Sequence, residues 1–357
     1  MRETTHPHDG FFMQKSLFGE QEPLFEKPLI KSGTPVEPLV AEAELMALAD
    51  ALPAHLRLGT SSWNYPGWNG LVWDGEYTAN HLSRQGLTAY SQHPLFRTVS
   101  IDRSFYRPLN VAQFAEHASQ VGPDFRFVVK APSLVTDALV RDESGRGMRA
   151  NATFLNAAEA VQKFVEPALE GLGSKLGALV FQISPLPGQL LMRMPEMINR
   201  LHRLLKAIPD LRSIAPDGVV AVEVRDPQWL VPQFVQALRD AGATYCMGLH
   251  PKMPPIAEQL PILRALWPGP LVCRWNLNAL HGAYGYEEAR DLYLPFNRMV
   301  DPDLETRSAL VRVIAGTAGA GQNVYVTLSN KAEGSAPLSI IELARAIRLN
   351  VQGIGNK

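Results

Sequence analysis

The strongest constraint on this chain is an alternation. Short apolar, β-branched runs recur along it, each followed by a longer stretch of helical period. Runs of that kind read as buried strands, and their regular exchange with helical segments is the mark of repeated βαβ units. Eight strands are expected, over residues 56–63, 96–102, 125–131, 177–184, 219–225, 244–250, 271–276 and 323–330. Helical patterns lie between them, as in NVAQFAEHASQV, PQFVQALRDAG and LSIIELARAIRLN. Eight strands with intervening helices over about 290 residues fit a (β/α)8 TIM barrel, an α/β fold. A doubly wound open sheet would use fewer strands and a glycine-rich first turn of GxGxxG type. The first turn here is GTSSWNYPGWNG.

Residues 1–40 differ from the rest, with proline, glycine and charge recurring and no sustained period. They are expected to form a flexible N-terminal extension, with the barrel domain over residues 41–357 and a short helix over 41–52. The chain is 46% hydrophobic, enough for a sizeable core, and carries a formal net charge of -1. That balance gives no global attraction to nucleic acid or to an anionic membrane. The two cysteines, Cys246 and Cys273, each lie within an apolar run, which suits reduced, buried thiols rather than a disulfide framework or a zinc site. No apolar run approaches the length of a membrane-spanning helix, and the N-terminus lacks the apolar core of a secretory signal. A cytoplasmic location without membrane contact is the expectation.

Barrel enzymes place their chemistry where strands end and the following loops begin. That rule nominates Trp63, Tyr65 and Trp68 after the first strand, Asp102 and Tyr106 after the second, and Lys130 at the end of the third. It adds Glu223, Arg225 and Trp229 at the fifth, His250 after the sixth, Arg274 and Asn276 at the seventh, and Asn330 after the eighth. Lys130, Glu223 and Arg274 interrupt apolar runs, and an ionised group in such a place needs a partner or a polar cavity. Glu223 could pair with Lys130 or with Arg274. Such a network either holds the barrel or tunes a general acid or base. Trp63, Tyr65 and Trp68 either cap the core or stack on a base or sugar ring. The candidate ligands Asp102, Glu223, Asp226 and His250 show no HxH or HExxH spacing, so neither a metal nor a cofactor is expected.

Barrels often hold phosphate in the loops after the seventh and eighth strands. Those loops carry Arg274, Asn276, Ser329, Asn330, Lys331 and Gly334, a plausible cradle for an anion.

Six segments, taken in order, resemble the DUF72 family (domain of unknown function 72, YecE-like). They are GTSSWNYPGWNG (59–70), TVSIDRSFYRP (98–108), FRFVVKAP (125–132), LGALVFQISP (176–185), VEVRDPQW (222–229) and VYVTLSNKAEGSAP (324–337). The resemblance spans residues 56–349 and implies a TIM barrel, but no reaction. Where the family pattern reads VEINSSFY, this chain has VSIDRSFY, so Ser100, Asp102 and Arg103 depart from it. Thr136-Asp137 stands where the family has threonine and histidine. Trp275-Asn276 and Leu328-Ser329 replace the usual ends of the seventh and eighth strands. The framework is kept while polar positions differ, as in a branch with altered specificity or lost activity.

The first functional expectation is an enzyme acting on a phosphorylated or nucleotide-like ligand, for example by phosphoester hydrolysis. In it Glu223 is the acid or base, Lys130 and Arg274 stabilise charge, and Trp63 and Tyr65 stack on the ligand. The second is a non-catalytic binding module in DNA metabolism. Gln14, Leu17 and Phe18 form a QxxLF-type peptide similar to those that dock on the bacterial sliding clamp. The third is a carbohydrate-active barrel, which needs Glu223 to face Asp102 or Asp226.

Overall fold

The computed structural model describes residues 34–142 and 146–355. Eight parallel strands close into a barrel: β1 (Leu56–Thr60), β2 (Phe96–Ile101), β3 (Arg126–Lys130), β4 (Leu176–Gln182), β5 (Val219–Glu223), β6 (Thr244–Leu249), β7 (Leu271–Trp275) and β8 (Val324–Leu328). Each pairs with its neighbour in the chain, and β8 closes on β1 with Leu56 opposite Val324 and Thr60 opposite Leu328. All eight expected strands form. All end one to three residues before the expected limit, because the last residues of each run belong to the turns of the mouth.

Alternation of side chains across each strand sorts the lumen into layers. The middle layer is small and apolar, built from Val128, Ala178, Val180, Ala221, Cys246 and Val272. Two residues further along the same strands come Lys130, Gln182, Glu223, Gly248 and Arg274, so the layer nearest the mouth is polar. The opposite end is plugged by a second polar cluster. Asp217 accepts from Arg57 at 2.9 Å and pairs with Arg126 at 2.9 Å, while the Tyr325 hydroxyl donates to its carbonyl at 3.0 Å. Cys246 and Cys273 are both free and buried.

The outer helices fix the loops that shape the mouth. After β2 the chain turns into helix Val111–Ser119, whose start is a reciprocal capping box. Asn110 accepts from the Gln113 amide N–H at 2.9 Å, and the Gln113 side chain accepts from the Asn110 N–H at 3.1 Å. Tyr90, at the end of helix Ala79–Tyr90, accepts from the Thr60 N–H at 3.0 Å and donates to the Thr98 carbonyl at 3.0 Å, tying the helix to β1 and β2.

Two connections carry elements of their own, the one after β3 and the one after β7. One holds an antiparallel ribbon of Leu139–Arg141 and Gly147–Ala150, and the other holds helix Tyr286–Tyr293. The expected helix over 41–52 is observed at Ala43–Asp50. Residues 34–40, expected to be flexible, instead dock on the barrel. Val36 is buried, Leu39 N–H donates to the Val72 carbonyl at 2.9 Å, and Pro38 bridges Trp73. Gln14, Leu17 and Phe18 lie outside the described residues. No helix among the described residues is long and apolar enough to cross a membrane.

Candidate functional site

The polar end of the lumen opens into a cavity of about 640 Å³. That size falls within the range of about 300–1,000 Å³ usual for small-molecule sites. Its floor is an ion-pair cluster. Glu223, with no solvent exposure, accepts from Arg274 Nη1 at 2.7 Å, pairs with Arg225, and accepts from Asn276 Nδ2 at 3.2 Å. Arg274 reaches the other way with Nη2, 2.6 Å from Asp102, which Ser100 also contacts at 2.6 Å. The cluster fits because β6 carries no side chain at Gly248. A Cβ there would lie 2.9 Å from both Arg225 Nη1 and Glu223 Oε1.

Burial alone would raise the Glu223 carboxyl, but the adjacent Arg225 and Arg274 outweigh it and hold the group down at about 2. The carboxylate therefore stays charged and can neither take nor give a proton near neutral pH. Arg274 is pushed the other way: burial favours its neutral form, and Asp102 and Glu223 overcome it. These observations revise the expected acid–base role of Glu223. It lies beneath the cavity floor and does not line it. Asp226 does not line it either, being turned to accept from the Leu186 N–H at 2.9 Å. Facing carboxylates that include Glu223, as a carbohydrate-active barrel would need, are thus not formed at the mouth.

Of the other nominated residues, Trp63, Tyr65, Asp102, Tyr106, Lys130, Arg225, Arg274 and Asn276 line the cavity. Trp68, Trp229 and Asn330 do not reach it. Trp68 stacks on Trp73 and donates to Asn330 Oδ1 at 3.2 Å, and that oxygen also accepts from the Ala336 N–H at 2.8 Å. Trp229 packs edge-on against Phe234. The expected phosphate cradle after β8 is closed in the same way. Lys331 has no exposure and lies over Tyr286 at 4.2 Å, and of that loop only Ser329 touches the cavity.

Trp63 and Tyr65 show little surface, being packed against His117 and Phe296. The most exposed aromatic rings of the mouth are those of Tyr106, 51% exposed, and Tyr284, 63% exposed, with Lys252 Nζ lying 4.3 Å from the centre of the Tyr284 ring. Tyr284, with Tyr286, comes from the long segment after β7, whose tyrosine content was the only sequence signal for it.

Seven cationic side chains line the cavity. Arg103 and Arg107 follow β2, Lys130 ends β3, Arg141 lies on the ribbon, Arg225 follows β5, Lys252 follows β6 and Arg274 is on β7. Among the described residues only Asp102 and Asp137 line it as carboxylates, and Asp137 is engaged by Arg141 at 2.7 Å. Arg103, expected at the end of the second strand, does line the cavity, while Arg107, Arg141 and Lys252 are not expected from sequence, since a surface arginine or lysine carries no sequence mark until the fold aims it. Lys130 is brought down to about 8, by burial first and by Arg274 among its neighbours, with Asp102 and Glu223 acting in the opposite sense. No ion pair joins it to Glu223 among the described residues, and its Nζ lies 3.7 Å from the centre of the Phe105 ring. His250 is held at about 3 by burial and by Arg225, and so is neutral. No three His, Cys, Asp or Glu side chains converge as a metal site would require among the described residues.

Comparison with known proteins agrees with this architecture. Two crystal structures of a DUF72 family protein from Enterococcus faecalis V583 match. One has a TM-score of 0.55 at 18% identity, covering 82% of this chain and 95% of that one. The other has a TM-score of 0.51 at 16% identity, covering 83% and 97%. A DUF72 family protein from Thermotoga maritima MSB8 matches at a TM-score of 0.48 and 18% identity, over 81% of this chain and 98% of that one. No curated protein matches the chain. The family model described as "Protein of unknown function DUF72" matches residues 57–357, and the chain therefore belongs to the DUF72 family.

Proposed function

We propose that the barrel mouth binds a small anionic ligand, a phosphorylated and nucleotide-like molecule being the best fit. The observation that carries this reading is the charge of the cavity. Among the described residues seven cations line it against two carboxylates, and adding the buried Glu223 brings the acids only to three. The chain as a whole has a net charge of -1, so the excess of cations lining this cavity is a local feature. Such a concave, cationic pocket attracts an anion and holds it by charge-assisted hydrogen bonds. The exposed rings of Tyr106 and Tyr284 suit stacking on a base, a contact worth about 1–3 kcal/mol in other systems.

In this reading Glu223 is a positioning residue. It orients Arg225 and Arg274 from below and keeps both guanidiniums fixed while the ligand exchanges. Arg103 and Lys252, both half-buried on the wall, supply charge without belonging to the Glu223 cluster. Titration calorimetry with adenosine monophosphate tests the assignment in the wild type and in Arg103→Gln and Lys252→Gln. Each substitution is expected to weaken binding by about tenfold, the loss of one charge-assisted hydrogen bond. Undiminished affinity in both variants would overturn it.

A further inference from the structure

We infer that Lys130 is an amine nucleophile for carbonyl compounds, its Nζ condensing with an aldehyde or ketone that also carries a phosphate. This rests on the anionic-ligand reading for the phosphate half and on the placement of Lys130 for the amine half.

The placement is unusual among the cations of the site. Arg274 and Arg225 are tied to Glu223, and Arg141 is tied to Asp137. Lys130 has neither an ion pair nor a hydrogen bond to its Nζ among the described residues. Its amine lies over the Phe105 ring at 3.7 Å and faces the cavity. Its backbone is fixed: β3 ends there, and Ser104 Oγ donates to the Lys130 carbonyl at 2.6 Å. A lysine needed only for the barrel would be expected to hold a carboxylate, and Glu223 is available yet taken by arginines. What remains is an amine on a rigid strand end, open to a ligand and surrounded by guanidiniums able to hold a phosphate nearby.

The chemistry fits the surroundings. Only the neutral amine attacks a carbonyl, and a lysine at about 8 has a useful neutral fraction near pH 7, where an exposed lysine has almost none. The groups that set this balance are Asp102 and Glu223, which favour the charged amine, and Arg225 and Arg274, which disfavour it alongside burial. In the condensation the Nζ lone pair forms a bond to the carbonyl carbon, and the C=O π pair moves to oxygen. One proton passes from nitrogen to oxygen through solvent, giving a carbinolamine. As the C–O bond breaks, the second nitrogen proton is also delivered to that oxygen, which leaves as water while the nitrogen lone pair forms the C=N bond. No oxidant or reductant is needed.

The test uses the full chain with glyceraldehyde 3-phosphate and sodium cyanoborohydride, which reduces the imine to a stable secondary amine. Labelled lysines are located by peptide mass mapping, and glycerol 3-phosphate serves as an unreactive competitor whose own binding is measured by calorimetry. The expected result is labelling of Lys130 at least tenfold faster than of any other lysine. It should be suppressed by glycerol 3-phosphate and absent in Lys130→Met, and its rate should rise with a midpoint near pH 8. If glycerol 3-phosphate binds but Lys130 is labelled no faster than exposed lysines, the nucleophile is overturned and the anion site stands. If Lys130 is labelled selectively by unphosphorylated glyceraldehyde while glycerol 3-phosphate does not bind, the phosphate half is overturned.

Discussion

Glu223 and Arg274 meet at 2.7 Å across the top of the barrel lumen, and neither side chain is more than 2% exposed. Their strands, β5 and β7, are not neighbours, so the pair spans the lumen as a crossbeam with Gly248 of β6 making room between them. Arg274 continues to Asp102, and so links three strand ends.

Removing one partner leaves the other buried and uncompensated, which is costlier than never having built the pair. Arg274→Met is expected to lower unfolding free energy by about 3–5 kcal/mol, measured by urea denaturation. Arg274→Lys should fall short of wild type as well, because an ammonium cannot reach Glu223 and Asp102 with separate fixed nitrogens.

The same pair sets an acid limit. The Glu223 carboxyl titrates at about 2 in the folded protein, below the roughly 4.3 of an unfolded chain. A lowered folded value gives stability that is complete above the unfolded value and lost as pH falls through the folded one. The difference in unfolding free energy between wild type and Glu223→Gln is therefore expected to be constant from pH 8 to 5, and to shrink between about pH 4 and 2. A difference that does not change down to pH 3 would count against the assignment.

Gly248→Ala tests whether the crossbeam needs its gap. The added methyl would lie 2.9 Å from both Arg225 Nη1 and Glu223 Oε1, so the cluster must shift. A loss of about 1–3 kcal/mol is expected from the overpacking, along with weaker adenosine monophosphate binding as Arg225 and Arg274 move. Stability can be read by chemical denaturation and affinity by calorimetry.

Lys130 has the opposite sign. Its folded value, about 8, lies below the usual lysine value of 10.5, so the unfolded chain binds the proton more tightly. Wild-type stability should then rise between pH 8 and 10.5, and Lys130→Met should remove that rise. At pH 7 the variant is expected to be more stable by about 1–2 kcal/mol, in contrast with Arg274→Met.

The barrel was legible because strands and helices announce themselves by period, and eight runs left little choice of topology. Residues in apolar runs were legible too: Lys130, Glu223 and Arg274 interrupt β3, β5 and β7, and all three meet at one end of the lumen. Sequence could not tell which of them would face the cavity. Glu223 lies below the floor and Lys130 at the surface, a difference set by side-chain length and by pairing across strands. Nor could it separate Tyr106 from Trp68, since both are aromatic residues after a strand, yet one is half exposed and the other sealed under Asn330. Arg103, Arg107 and Lys252 follow strand ends, where no period constrains direction, and Arg141 lies on a three-residue strand too short to show one.

The ratio of affinities for adenosine monophosphate and adenosine in the unmodified protein tests the anion site most directly. Calorimetric titration at low salt is expected to show the monophosphate binding at least tenfold more tightly, and the advantage should shrink as salt screens the cavity charge. Equal affinity for the two, at any salt, would contradict an anion site at the barrel mouth.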